Sequence, residues 1–145
     1  MIADRQAWMG LLARAEPSRL AAALGAMEAL PGHDWLRAPE IGAAMVRGRI
    51  GGQGAAFNLG EMTVTRCALR LATGEVGHAY VQGRDREHAA RAALVDALMQ
   101  GPRAPEAEAA VLAPLRAAAA AAARDRAEKA AATRVEFFTL QRGED

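Results

Sequence analysis

The stretch RIGGQGAAFNLGEMTVTRC, Arg49–Cys67, decides how this chain is read. Its glycines, at 51, 52, 54 and 60, suit either a loop that cradles a phosphate or a turn between two strands. A Walker loop needs a lysine and a hydroxyl residue leading into a helix, and the chain's only lysine is Lys129. A dinucleotide fingerprint needs a third spaced glycine and then a helix. Here Gly52-Gln53-Gly54 runs into Ala55, Ala56 and Phe57 and then into strict alternation. From Glu61 to Leu71, Thr63, Thr65, Cys67, Leu69 and Leu71 share one face, while Met62, Val64, Arg66, Ala68 and Arg70 share the other. Upstream, Glu40 to Ile50 alternates as well, with Gly42, Ala44, Val46, Gly48 and Ile50 opposite Met45, Arg47 and Arg49. The stretch therefore reads as a wide turn between antiparallel strands that carry arginines on one face or edge. Amides of such a turn, at Gly52 and Gly54, can still form an anion nest beside Arg47, Arg49 and Arg66.

Working outward, Thr73-Gly74 is a turn signal and Val76–Val81 a third strand. Arg84-Asp85 opens a helix to about Gln100, with Ala92, Val95, Leu98 and Met99 as its apolar stripe, and GPRAPE breaks it. A longer helix is expected from about Pro105 to Ala132, because alanine is the best helix former. Its small-residue face suits close packing, either within the chain or on a partner. Before the strands, Trp8, Leu11, Leu12 and Ala15 mark one helix, and Leu20, Leu24 and Met27 a second that Pro17 opens and Pro31-Gly32 ends. HDWLRAPE, residues 33–40, reads as an exposed joint. At the other end TRVEFFTLQRGED alternates Val135, Phe137 and Thr139 with Glu136, Phe138 and Leu140. It reads as a strand that adds to the sheet or inserts into another protein, since left bare it would aggregate. The expected fold is α+β in one domain, 1–145: a small antiparallel sheet of about four strands, an N-terminal helical hairpin and two further helices, the last long and alanine-rich.

Composition narrows the function. With 145 residues there is room for one ordinary domain. Lys plus Arg (18) and Asp plus Glu (17) nearly cancel, so no global field draws nucleic acid or an anionic membrane, and the few aromatics offer little for bases to stack on. Cys67 is the only cysteine, which excludes an internal disulfide and a thiolate cluster. No stretch approaches the roughly 20 apolar residues of a membrane span, and a cytoplasmic protein without metal is expected. His33 (in the joint), His78 and His88 lack ligand spacing, Ser18 is the only serine and looks like a helix-start residue, and Cys67 reads as a buried hydrophobe. Carboxylates at Glu61, Glu75, Asp85 and Glu87 show no sign of converging. Nothing here assembles a catalytic residue set, and the chain reads as unlikely to be an enzyme alone.

Several blocks, in order and at the right spacing, resemble the PhnG family, subunits of the bacterial carbon–phosphorus lyase core complex. They are Arg49-x-Gly51-Gly52-x-Gly54, Thr65-Arg66, Gly83-Arg84-Asp85 with His88-Ala89, and Arg134-Val135-x-Phe137-Phe138-Thr139. The likeness covers nearly the whole chain; Gln141 departs from it, standing where the family more often has valine. The resemblance implies a place in phosphonate catabolism, inside a two-fold symmetric hetero-oligomer with PhnI, PhnH and PhnJ partners and a PhnL-like ATPase. Such a complex uses MgATP and replaces its adenine by an alkylphosphonate. Nucleosidase-type chemistry then falls to PhnI and iron–sulfur radical chemistry to PhnJ, leaving this chain without a cofactor of its own. Two roles follow as expectations. In one the chain is structural, with Arg134, Val135, Phe137, Phe138 and Thr139 as partner contacts. In the other Arg47, Arg49, Arg66 and Arg84, with Gly52 and Gly54, help line a composite triphosphate or phosphonate pocket.

Overall fold

The computed structural model describes residues 2–49, 52 and 54–143. Residues 1–115 form one compact unit and residues 116–145 a second.

The first unit begins with α1 (Ile2–Arg14) and α2 (Pro17–Gly25), the expected helical hairpin. Proline stands at the start of α2, where its missing N–H costs nothing. The sheet follows: β1 (His33–Arg49), β2 (Ala56–Leu71) and β3 (Val76–Gln82), antiparallel in the order β1-β2-β3. Pairing of Arg49 with Ala56 makes the glycine stretch a hairpin connection. Ile50, Gly51 and Gln53 lie outside the described residues, but Gly52 has φ +78°, the positive value that a glycine turn permits.

The joint expected at residues 33–40 is instead the start of β1, which begins at His33 and pairs with the far end of β2, His33 with Leu71. Pro39 was the misleading signal. It lies in an edge strand, where no second neighbour needs its N–H, and the register shifts on either side of Arg37 absorb its geometry. His33 is therefore a strand residue.

Alternation in β2 sets the face that meets the core, although Val64 and Ala68 on the other face are buried as well. Thr65, Cys67, Leu69 and Leu71 are buried against α3 (Arg86–Leu98), together with Ala79 and Val81 of β3. The Cys67 thiol donates to the Ala89 carbonyl at 3.2 Å. Gly77 sets the closeness of this packing, since a Cβ built there would stand 1.9 Å from the Ala93 carbonyl oxygen. Asp85 caps α3 by accepting from the His88 amide at 2.9 Å. Burial runs almost all round α3, from His88 to Leu98 apart from Ala90 and Arg91, because α1 and α2 cover what the sheet does not.

A short α4 (Ala104–Ala107) leads through a π-helical turn (Glu108–Leu112) into α5 (Ala113–Gly143). Ala107, Val111, Leu112 and Leu115 close the core of the first unit. Arg103 ties this corner: it donates to the carbonyls of Ala29 (2.7 Å) and Glu28 (2.8 Å) and pairs with Glu106.

The second unit is the rest of α5. Its described side chains, residues 116–134, are exposed except for the half-buried Ala118. The strand expected at residues 135–140 is not formed: the backbone is helical to Gly143. Once an alanine-rich helix is nucleated, each added residue gains a hydrogen bond, and this local continuation prevails over the β-propensity of Val135, Phe137 and Phe138. The side chains of residues 135–143 lie outside the described set. Among the described residues the sheet thus has three strands, and the architecture is α+β with a 31-residue last helix.

Candidate functional site

The sequence singled out arginines around the glycine stretch, and the register separates them. Glu40 pairs with Arg66, and alternation along β1 from Glu40 puts Arg47, which follows a register shift after Val46, on the opposite face of the sheet. Along the strand, Arg47 lies seven residues from Glu40, roughly 23 Å at about 3.3 Å per residue. Arg66 is engaged: its Nε donates to Glu40 Oε1 at 2.7 Å, and Arg37 binds the same oxygen. These two guanidinium groups, Arg37 first, hold the Glu40 carboxyl below the usual carboxylate range. Arg47 is exposed in β1 opposite Asn58; Arg49 pairs with Ala56 by its backbone, its side chain lying outside the described set. Arg84 is exposed in the β3–α3 turn. Arg47 and Arg84 have no ion-pair partner among the described residues. Gly52 and Gly54 lie within the connection between β1 and β2. Among the described side chains, Arg47 and Arg66 therefore do not share one pocket.

Beyond the reach of β3, the β1–β2 hairpin continues as a two-stranded ribbon, since β3 pairs only with Val64–Arg70. It carries three large exposed hydrophobics, Met45, Phe57 and Leu59, the last 61% exposed and lying over Gly48. Leu59 lies over Gly48, which pairs with Phe57, whereas Met45 stands on the opposite face by alternation, so the ribbon exposes apolar side chains on both of its faces.

Sequence reasoning missed the polar centre that the fold does assemble. Asp96, fully buried in α3, accepts from Arg5 Nε (3.2 Å) and Nη2 (2.9 Å), Trp8 Nε1 (2.8 Å) and the His78 amide (2.9 Å). Its bonds to Asp96 raise the already high pKa of the Arg5 guanidinium. One carboxylate thus fastens α1, α3 and β3 together. A signal existed: a lone aspartate in ALVDAL must be paired if that face is buried. Its partners, 91 and 88 positions away, were not readable.

A second polar group sits at the other end of the α1–α3 contact. His88 is 1% exposed and its Nε2 lies 2.8 Å from the Leu12 carbonyl, so Nε2 carries the proton and Nδ1 is left as an acceptor. That Nδ1 has no partner among the described residues. His88 lines a cleft of ≈ 570 Å³ between the α1–α2 junction and β3, with Arg14, Pro17, Val64, Tyr80 and Gln82. Cys67 is closed off, burial pushing its thiol up to about 11. Among the described residues no group of three or more His, Cys, Asp or Glu could hold a metal ion, and no helix is long and apolar enough to cross a membrane.

Fold and surface define a small α+β protein whose polar centres bind its own elements together and whose hairpin ribbon exposes apolar side chains. Comparison with known proteins gives the particular family. The family model described as phosphonate metabolism protein PhnG matches residues 3–143. A PhnG subunit of alpha-D-ribose 1-methylphosphonate 5-triphosphate synthase from Rhizobium meliloti (strain 1021) is 46% identical over 144 residues, covering 99% of this chain and 92% of that protein. The chain belongs to the PhnG family.

Proposed function

We propose that this chain is a cytoplasmic subunit of an α-D-ribose 1-methylphosphonate 5-triphosphate synthase, with a structural role in the assembly. The observation that carries the reading is the end-to-end likeness to a relative named as a subunit of that enzyme. The exposed ribbon hydrophobics and the commitment of Asp96, Glu40 and Arg103 to internal contacts support it. In this reading PhnI-, PhnH- and PhnJ-like subunits and a PhnL-like ATPase are its partners in a two-fold symmetric complex. That complex moves an alkylphosphonate onto the ribose C1 of MgATP and releases adenine, and the chain brings no cofactor of its own. The C-terminal segment, with Arg134, Val135, Phe137, Phe138 and Thr139, is one contact surface, presented on a helix. Co-expression with a PhnI-like subunit tests this: the pair should co-purify, and deletion of residues 134–145 should weaken capture. A chain that purifies as an inert monomer beside its partner refutes the reading.

The second role, a contribution to a composite anion pocket, is favoured by Arg47 and Arg84, exposed and without an ion-pair partner among the described residues. Arg66 is the weaker candidate because Glu40 already neutralises it. Arg47→Ala, Arg49→Ala or Arg84→Ala in the assembled complex should raise KM or lower kcat with assembly intact. Unchanged kinetics in all three end that role.

A further inference from the structure

We propose that the free edge of β3, from His78 to Gln82, is a strand-addition site for an extended segment of a partner subunit. The inference rests on the assembly reading above and names the mode of contact. Hydrogen-bond parity carries it. At one end of the β2–β3 ladder Leu71 N donates to Glu75 O, and at the other Gly83 N donates to Thr63 O, both at 2.9 Å. With the register between them, residues 75, 77, 79, 81 and 83 bond to β2. Val76, His78, Tyr80 and Gln82 then turn both backbone groups away from the sheet.

The fold covers the first half of this edge itself. Val76 O accepts from Gln100 Nε2 at 2.8 Å and from Arg5 Nη2 at 3.5 Å, and His78 N donates to Asp96 Oδ2 at 2.9 Å. The cover stops there. The His78 carbonyl and the N–H and C=O of Tyr80 and Gln82 have no hydrogen-bond partner among the described residues. The opposite edge of the sheet is blunted in the usual ways: Pro39 interrupts β1, its register shifts around Arg37, and Arg37 and Glu40 place charge there. The second half of β3 has none of these protections.

The occupant follows from what lines the place. Tyr80 and Gln82 form one wall of the ≈ 570 Å³ cleft, and Arg14 and Pro17 form another. His88, with its buried and unpartnered Nδ1, lines it too. Outward backbone donors and acceptors at a strand's repeat match a hydrogen-bonding main chain rather than the apolar face of a helix. Arg14, at the end of α1, walls the cleft beside Tyr80, and the β3 edge of a second copy would bring its own α1 against it, which favours an extended segment of a different subunit.

Residue-resolved amide exchange on the full chain, alone and within the purified multi-subunit complex, tests the proposal. The Tyr80 and Gln82 amides should exchange freely in the isolated chain and slow by about a hundredfold or more in the complex. Tyr80→Pro removes an outward N–H and should weaken assembly about tenfold, while Tyr80→Ala keeps the N–H and should assemble better than the proline variant. If Tyr80→Pro fails to fold, exchange on the unaltered chain decides. A complex that forms with both amides as open as before overturns strand addition and leaves the assembly reading standing. Failure to form any complex overturns both. Protection that grows with the concentration of the isolated chain overturns the partner segment in favour of a second copy.

Discussion

Replacing Asp96 by alanine takes away the acceptor of four hydrogen bonds that hold α1, α3 and β3 together. Removing one member of a buried ion pair costs about 3–5 kcal/mol, and a hydrogen bond to a charged group about 1.5–3 kcal/mol. These figures overlap rather than add. The Arg5 side chain is 36% exposed, so water solvates part of the freed guanidinium and the lower end applies. Trp8 Nε1 and the His78 amide lose their acceptor. The net cost is about 3 kcal/mol, roughly 10 °C in melting temperature for a chain of this length. Asp96→Asn keeps the shape but turns an amide N–H towards existing donors, so it should recover little of this. Trp8→Phe removes one bond and should cost about 1.5 kcal/mol in the native background and almost nothing once Asp96 is alanine. Urea and thermal unfolding of the single and double variants measure both numbers. An Asp96→Ala melting point within about 2 °C of the native one, or strict additivity of the two substitutions, refutes the reasoning.

Three further outcomes are expected. Gly77→Ala places a methyl on the Ala93 carbonyl and beside the Ala97 side chain, forcing α3 off the sheet. It should cost at least about 3 kcal/mol by chemical denaturation. Cys67 should resist iodoacetamide at pH 8 until the chain unfolds. Its folded pKa, about 11, lies above the unfolded value, so the stability from burying the neutral thiol is full below about pH 8.5 and is lost as pH rises towards 11. Glu40 has the opposite sign: its depressed pKa contributes stability above the unfolded value of about 4.3 that is lost as pH falls through the folded one. In an NMR titration Arg66→Ala should move the Glu40 carboxyl back towards the ordinary range, and no movement would dissociate the pair.

Much of the core was legible because its elements obey one period. Alternation from Thr63 to Leu71 marked the face that α3 covers, and the Leu20/Leu24/Met27 spacing marked the buried side of α2 and the turn after it. Asp85 ahead of His88 carried its own local explanation as a cap. The failures have a common cause. Residues 33–40 and 135–140 have local preferences that compete, and the competition is settled by what lies alongside. The first became strand because Leu69 and Leu71 were there to pair with, in spite of Pro39. The second became helix because the alanine run before it was already helical. The arginines were visible as residues, but their separation was not, since it depends on the register of Glu40 with Arg66.

The sequence by itself determined the period of β2, β3, α3 and the alanine-rich part of α5, the hairpin at the glycines and membership of the PhnG family, because these are written in the order and spacing of residues. Only the tertiary structure decided that Asp96 joins three elements, that Arg66 is spent on Glu40, and that the second half of the β3 edge is left open. Each of those depends on which groups meet across tens of residues, and a buried charge or an unpaired amide acquires its energy only from the partner that folding brings to it or fails to bring.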